Sequence, residues 1–148
     1  YINRAISHSK KRDFTKAFAD FNKALEINPN STKTYSMRAY AYLDNGNYGR
    51  AISDYSILIE TSPEDFNPYF YRGLGYQKLN KFQQAINDYS MVLKLSAGNS
   101  SAYLNRSICY ESVRQYKLAL KDAMAAKTYG QQIGEQYLIR LQRLAEGN

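Results

Sequence analysis

Apolar residues recur along this chain with two periods, one of three to four residues and one of 34. The short period is that of a helix: Tyr35, Ala39 and Tyr42, for example, lie on one face of their segment. Stretches rich in Pro, Gly, Asn and Ser separate such segments, and these residues end or cap helices. The pattern therefore predicts a series of amphipathic helices joined by short turns.

The turn signals place nine helices with no linker or low-complexity tract between them. We expect them at roughly 1–9, 13–27, 32–44, 48–60, 66–79, 82–95, 100–112, 116–128 and 132–146.

The long period is seen in four ladders of identical residues, each spaced by 34. They are Tyr1, Tyr35, Tyr69, Tyr103 and Tyr137; Arg4, Arg38, Arg72, Arg106 and Arg140; Asp20, Asp54, Asp88 and Asp122; and Ala17, Ala51, Ala85 and Ala119. A repeat of this length is one helical hairpin, which cannot bury its apolar face alone. Stacked copies share a core and form an extended surface that suits binding.

The repeat resembles the tetratricopeptide repeat (TPR) family, whose pattern places aromatic and small residues at fixed points and ends on Pro. The second copy supplies these points with Tyr35, Ala39, Tyr42, Ala51, Tyr55, Leu58 and Pro63. The resemblance implies an all-α fold, a right-handed superhelical solenoid of antiparallel helix pairs. It also implies a single domain over 1–148, with repeats at about 1–31, 32–65, 66–99 and 100–133 and a capping helix at 134–146.

Most of the aromatic content belongs to this pattern. Only Tyr40, Tyr71 and Tyr129 of the 15 tyrosines fall outside its aromatic positions. Small residues where two helices cross let the backbones approach to about 8–10 Å, and aromatic side chains fill the surrounding space. The tyrosines therefore indicate a core, and we expect no cofactor.

The Arg and Asp ladders indicate ion pairs between helices. Arg140 persists in the capping segment, which has no second helix of its own, and this favours pairing between neighbouring repeats. We therefore predict the pairs Asp20–Arg38, Asp54–Arg72, Asp88–Arg106 and Asp122–Arg140.

The sequence offers no arrangement for catalysis or metal binding. A single Cys (Cys109) and a single His (His8) provide neither a disulfide nor a zinc site, and no phosphate-binding glycine loop is present. We expect no enzyme activity and no membrane span. The chain also starts partway into a predicted helix without Met, which suggests a fragment or a processed form.

The net charge of +7 is spread along the chain, and only Lys10, Lys11 and Arg12 form a cluster of three. Dispersed charge argues against a dedicated phosphate-binding stripe. A nucleic-acid-binding solenoid is therefore kept only as a minor alternative.

The resemblance places the binding surface on the first helix of each repeat, and these positions are unusually apolar here. We predict that the groove binds an apolar or aromatic protein segment through Tyr40, Leu43, Phe70, Tyr71, Leu74, Leu104 and Ile108. The alternative is that the groove is filled by a missing N-terminal segment of the same protein or by a second copy. The Lys- and Asn-based clamp of the family's chaperone-tail binders is replaced by Ile2, Ile6, Met37, Asn67 and Tyr71, which argues against an acidic chaperone tail bound in that way.

Overall fold

A computed structural model describes residues 1–147, and these residues form nine α-helices without a strand. The helices are α1 (Ile2–Lys10), α2 (Phe14–Ile27), α3 (Thr32–Asp44), α4 (Tyr48–Thr61), α5 (Phe66–Lys78), α6 (Phe82–Leu95), α7 (Ser100–Ser112), α8 (Tyr116–Thr128) and α9 (Glu135–Glu146). The predicted ends agree to within one residue, except that α9 begins three residues later than 132. Gly134 is extended, with φ −63° and ψ 134°, and serves as the N-cap of α9.

Side-chain caps explain several of the helix starts. Ser31 Oγ accepts a hydrogen bond from the Thr34 backbone N–H at 3.3 Å, and Asn99 Oδ1 accepts one from the Ala102 N–H at 2.9 Å. These bonds satisfy backbone donors that have no partner within the first helical turn.

The turn between the two helices of each hairpin contains one residue with positive φ. These residues are Arg12 (60°), Gly46 (75°), Asn80 (57°) and Arg114 (61°). Gly and Asn tolerate this conformation, whereas an arginine there carries steric strain. The repeat thus imposes one turn geometry on four different sequences.

The chain divides into two compact units, the first of which is Tyr1–Gly75. In this unit α1 packs on α2, α2 on α3, and α3 on α4. Ala39 and Ala51 are completely buried and pack with Tyr42, Tyr55 and Leu58 in one apolar cluster. The small residues of the repeat therefore lie inside the core of this unit.

The second unit begins at Tyr76, and in it α6 packs on α7, α7 on α8, and α8 on α9. Ala119, Ala123 and Leu141 are completely buried in one cluster. The Ser107 hydroxyl, also buried, donates a hydrogen bond to the Ala119 carbonyl oxygen at 2.7 Å and lies 3.2 Å from the Tyr137 hydroxyl. This contact attaches α9 to the preceding hairpin.

The ion pairs form within a repeat, so the predicted pairing between neighbouring repeats is wrong for Asp20, Asp54 and Asp122. Each of these carboxylates accepts two hydrogen bonds from the arginine 16 residues before it. The bidentate pairs are Arg4–Asp20 (2.6 and 2.7 Å), Arg38–Asp54 (2.8 and 2.8 Å) and Arg106–Asp122 (2.7 and 2.9 Å). Arg140 pairs with Glu111 of α7 at 2.8 Å rather than with Asp122.

Two of these arginines, Arg38 and Arg106, do contact the preceding repeat, but they bind a neutral side chain there. Arg38 Nη1 donates to Asn22 Oδ1 at 2.7 Å, and Arg106 Nη1 donates to Ser90 Oγ at 2.9 Å. The Arg38 guanidinium also lies 5.5 Å from the ring centre of Tyr35 and 5.8 Å from that of Tyr42. One arginine thus binds its own carboxylate, two rings and the preceding repeat.

These contacts shift the pKa of the charged groups. The hydrogen bonds from Arg4 lower the pKa of the Asp20 carboxyl, and the hydrogen bond to Asp54 raises the pKa of Arg38. For Arg106, burial acts to lower the pKa, but the hydrogen bond and charge of Asp122 outweigh it and the pKa is raised. Asp20, Arg38 and Arg106 are therefore charged at neutral pH.

Candidate peptide-binding site

An open cavity of about 540 Å³ lies in the first unit, between α3 and α5 and above the C-terminal half of α4. Its volume falls within the range of about 300–1,000 Å³ that is usual for ligand pockets. The lining residues come from two helix starts, one helix end and the connection between α4 and α5: Thr32, Lys33, Ser36, Met37, Tyr40, Tyr55, Leu58, Ser62, Asp65, Asn67, Pro68 and Tyr71.

The floor of the cavity is apolar and belongs to the core. Tyr55 and Leu58 on α4 are 3% and 7% exposed. Burial raises the pKa of the Tyr55 phenol well above its usual value, so this ring is neutral throughout the physiological range. A ligand that reaches the floor therefore meets uncharged, closely packed side chains.

The wall of the cavity is a cluster of aromatic rings centred on Tyr71. This ring stacks on Tyr55 with the ring centres 5.7 Å apart and meets Tyr40 edge to face at 6.1 Å. Phe70 approaches Tyr71 edge to face at 5.5 Å. Tyr40 is 59% exposed and Met37, one helical turn before it, is 38% exposed, so rings with a fixed arrangement stand beside apolar surface that is open to solvent.

The rim of the cavity is polar and holds both signs of charge. Asp65 Oδ1 accepts hydrogen bonds from the backbone N–H of Asn67 at 2.9 Å and from its side-chain amide at 2.8 Å. Lys33 is exposed on the opposite helix start. Such a rim can orient the backbone of a bound peptide by hydrogen bonds, while the apolar wall and floor receive its side chains.

The structure brings together three of the seven residues predicted for the groove. Tyr40 and Tyr71 line the cavity, and Phe70 contacts Tyr71. Leu43 is half-buried against the core cluster of this unit, and Leu74 is half-buried on α5.

The remaining two groove residues, Leu104 and Ile108, lie on α7 in the second unit, where both are half-buried. Their part in a binding site stays a prediction.

Sequence reasoning missed the cavity residues that lie at helix starts and in the connection between repeats. They are Thr32, Lys33, Ser62, Asp65 and Pro68. The break around Pro63 marked this connection, but the folding of the connection over the end of α4 depends on the packing of α5. Ser36, Met37 and Asn67 lie on the first-helix positions that the family resemblance associates with binding.

Chemistry other than binding has little support in the described part of the chain. No group of three His, Cys, Asp or Glu side chains within residues 1–147 is placed to hold a metal ion. Cys109 is buried, and burial raises the pKa of its thiol to about 12, so it is protonated at neutral pH. Among the described helices, none combines the length and the apolar character that crossing a membrane requires.

Comparison with known proteins identifies the repeat. Two tetratricopeptide-repeat sequence models match the chain, one over residues 1–31 and the other over residues 21–53. No curated protein sequence matches it significantly. The resemblance to the tetratricopeptide-repeat family is thus confirmed by sequence for residues 1–53.

Solved structures show that the fold is that of the family. A crystal structure of MamA protein is similar with a TM-score of 0.83 and 19% identity, over 98% of this chain and 76% of that one. The Arabidopsis OM64 TPR domain is 22% identical with a TM-score of 0.70, over 80% of this chain and 97% of that one. The first TPR domain of Spaghetti (RPAP3), bound to the HSP90 peptide SRMEEVD, is 19% identical with a TM-score of 0.70, over 78% and 91%.

Proposed function

We propose that this chain is a non-catalytic protein–protein interaction module whose first unit binds an apolar or aromatic peptide segment in the cavity between α3 and α5. The observation that carries the proposal is the exposed apolar wall of this cavity. Tyr40 and Met37 are held open to solvent beside the Tyr71 ring, above a buried apolar floor. Large apolar side chains exposed together in a concave site usually mark a binding surface.

The fold of the related structures supports a binding role in general terms, since the TPR domain of RPAP3 was solved with a peptide bound. Three of the last four residues of that peptide are acidic. At the positions where chaperone-tail binders carry clamp residues, this cavity has Met37, Asn67 and Tyr71. An apolar or aromatic segment fits these side chains better than an acidic tail does, because a buried carboxylate without a charged partner is costly.

The aromatic cluster is suited to the energetics of such binding. Hot spots at interfaces are few, rich in Tyr and Trp, and surrounded by residues that exclude water. Tyr71 is fixed between Tyr55 and Tyr40, so its ring loses little conformational freedom when a ligand packs against it.

The proposal can be tested with peptides selected from a random 12-residue display library against the wild-type chain. We expect the selected peptides to be enriched in Leu, Ile, Phe, Tyr or Trp. The double substitution Met37→Ser with Tyr40→Ser should weaken their binding at least tenfold, a loss of about 1.4 kcal/mol. Both residues are exposed, so the melting temperature should stay nearly unchanged.

Ile57→Ser is a matched control, because Ile57 is 36% exposed on α4 of the same unit and does not line the cavity. Peptides that bind the double variant and the wild type equally would place the site elsewhere. A further double variant, Phe70→Ala with Leu74→Ala, tests whether binding extends along α5 beyond the cavity.

The alternative that a second copy fills the cavity makes a different prediction. Sedimentation velocity over a concentration series would then show association of the wild type, and Tyr40→Ser would abolish it. A nucleic-acid ligand would instead show affinity that falls steeply with salt and does not depend on Tyr40.

A further inference from the structure

The exposed side of α8 carries a basic and apolar surface that the cavity of the first unit does not involve. Five side chains define it, and we refer to it as the α8 face: Lys117, Leu118, Lys121, Met124 and Lys127. With 100° between successive residues of a helix, these five positions cover about half of its circumference. Leu118 is 43% exposed and Met124 is 56% exposed.

The lysines of the α8 face have no carboxylate within 4 Å among the residues that the structure describes. The acidic group on α8 itself, Asp122, is only 3% exposed and is bonded to Arg106. Glu111 on the neighbouring helix is paired with Arg140. The positive charge of the face is therefore not balanced by these acidic groups of its own unit.

The helix α2 of the first unit offers a contrast to α8. On α2, Lys16 is paired with Asp13 at 2.9 Å, and Lys23 with Glu26 at 2.7 Å. On α8, by contrast, none of the three lysines is paired in this way, so the face keeps its positive charge beside Leu118 and Met124.

Apolar surface continues from the α8 face towards the end of α9. A shallow cavity of about 350 Å³ lies there, and Leu118 and Leu144 form part of its lining beside Arg114 and Lys117. The surface therefore combines apolar side chains with positive charge over the length of α8, about 20 Å for 13 residues.

We propose that the α8 face docks an acidic amphipathic segment of a partner protein, with its apolar side on Leu118 and Met124 and its carboxylates on the lysines. Positive charge without local partners attracts a negative ligand and speeds its association. Exposed apolar groups among the lysines favour a ligand that offers apolar surface as well, which the phosphate backbone of a nucleic acid does not. A flexible Met side chain adapts to such a surface.

A single helix face without Phe or Trp is a weak membrane-surface motif, because membrane-bound helices usually insert such residues. The α8 face shares no residue with the cavity of the first unit, so the two proposals can fail independently.

The test uses three synthetic 16-residue probes labelled for fluorescence anisotropy. One has Leu at helical spacing and Glu on the flanking positions, the second is a scramble of the same residues, and the third has Lys in place of Glu. We expect the first to bind the wild type at least tenfold more tightly than the other two, with an affinity that falls as salt is raised.

Two sets of variants assign the binding to the α8 face. The triple change Lys117→Glu, Lys121→Glu and Lys127→Glu should weaken the acidic probe at least tenfold, and so should Leu118→Ser with Met124→Ser, which leaves the charge unchanged. Lys→Gln at the same three positions replaces the Glu triple if circular dichroism shows that the latter does not fold.

The matched control changes three other exposed lysines, all of which follow residue 75. The substitutions are Lys78→Glu, Lys81→Glu and Lys94→Glu. It alters the net charge equally and should leave the affinity within about twofold. The cavity variant Met37→Ser with Tyr40→Ser should also bind the acidic probe normally, which separates this proposal from the proposed function.

Several results would overturn the proposal. If the scrambled probe binds as tightly as the acidic probe, or if the lysine control loses as much affinity as the α8 triple variant, the binding is general charge attraction and not docking on the α8 face. Duplex DNA or phosphatidylserine vesicles that bind through the lysines, but without dependence on Leu118 and Met124, would identify a different ligand. Self-association abolished by the lysine triple would identify a second copy as the occupant.

Discussion

The two compact units share one set of contacts, which we call the frame: an arginine that binds an aspartate and lies over two tyrosines. The units differ in their charge. Residues 1–75 contain ten basic and eight acidic residues, whereas residues 76–148 contain ten basic and five acidic ones. In the first unit, Arg38 binds Asp54 and lies over Tyr35 and Tyr42. In the second unit, Arg106 binds Asp122 and lies over two tyrosines in the same way.

The contacts common to both units separate the fixed positions of the repeat from the variable ones. The arginine, its aspartate, the two tyrosines and the small crossing residues are used again because each is needed inside the hairpin. The outward-facing positions of the second helix are not needed for these contacts. On α4 they include Gly49 and Ser53, and on α8 the equivalent positions are Lys117 and Lys121. Differences in partner between the units are therefore expected at these positions.

The largest loss of stability is expected when the carboxylate of the shared Arg–Asp ion pair is removed. Asp54→Ala and Asp122→Ala each leave an arginine whose side chain is only 17% exposed without its carboxylate. We expect each change to lower the free energy of unfolding by about 3 kcal/mol, the low end for buried pairs because the guanidinium still reaches water. Urea unfolding at pH 7 measures this.

Asp20→Ala is the control for this test, because its partner Arg4 is 64% exposed. It should cost clearly less than the other two changes. Equal losses for all three would mean that burial does not set the strength of the pair, and unequal losses for Asp54 and Asp122 would mean that the frame is not shared.

A smaller loss is expected when a small crossing residue is enlarged. Ala51 in the first unit and Ala85 in the second are completely buried. Ala51→Leu and Ala85→Leu should each destabilise the chain by about 1–3 kcal/mol, because a close-packed core must shift to accept three more carbon atoms. Thermal melts of the two variants measure the effect, with Ala19→Leu on the exposed side of α2 as the control. Unchanged melts would mean that the crossings have room to spare.

The smallest test concerns the turns with positive φ. Arg114→Gly should stabilise the chain by about 0.5–1 kcal/mol, because glycine removes the strain of a φ of 61°. Arg12→Gly should be closer to neutral, since Arg12 also lies 5.6 Å from the ring centre of Phe14 and would lose that contact.

Gly46→Ala is the reverse test, because it removes a glycine from a position with positive φ. A Cβ at this position would meet no atom within 4 Å, so only the backbone conformation is strained. Urea unfolding should show a loss of about 1 kcal/mol. A gain from Gly46→Ala, or a loss from Arg114→Gly, would contradict the interpretation of these turns.

The helices could be predicted from sequence because the signals that define them are local. Pro, Gly and Asn mark the breaks, Ser31 and Asn99 cap the following helices, and the apolar spacing sets the buried face. The predicted start of α9 is three residues too early because Gln132 and Ile133 carry no break signal of their own. The extended backbone of Gly134 delays the helix to Glu135.

The candidate site was predicted only in part. Tyr40 and Tyr71 were predicted because they occupy first-helix positions that the family resemblance associates with binding, and both line the cavity. Lys33 and Asp65 escaped notice because helix starts and connections have no periodic signal. Their approach to the tyrosines depends on how α3, α4 and α5 pack together.

Local spacing and the 34-residue period were enough to predict the repeat, the resemblance to the tetratricopeptide-repeat family, eight of the nine described helices to within one residue, and the residue types of the core. Which arginine binds which aspartate follows instead from how the helices pack. The 34-residue period permits each aspartate to bind the arginine 16 residues before it or the arginine 18 residues after it, and helix packing selects the first for Asp20, Asp54 and Asp122. Helix packing also determines that Asp122 is buried while the lysines of α8 face solvent, because burial depends on neighbours that are distant along the chain.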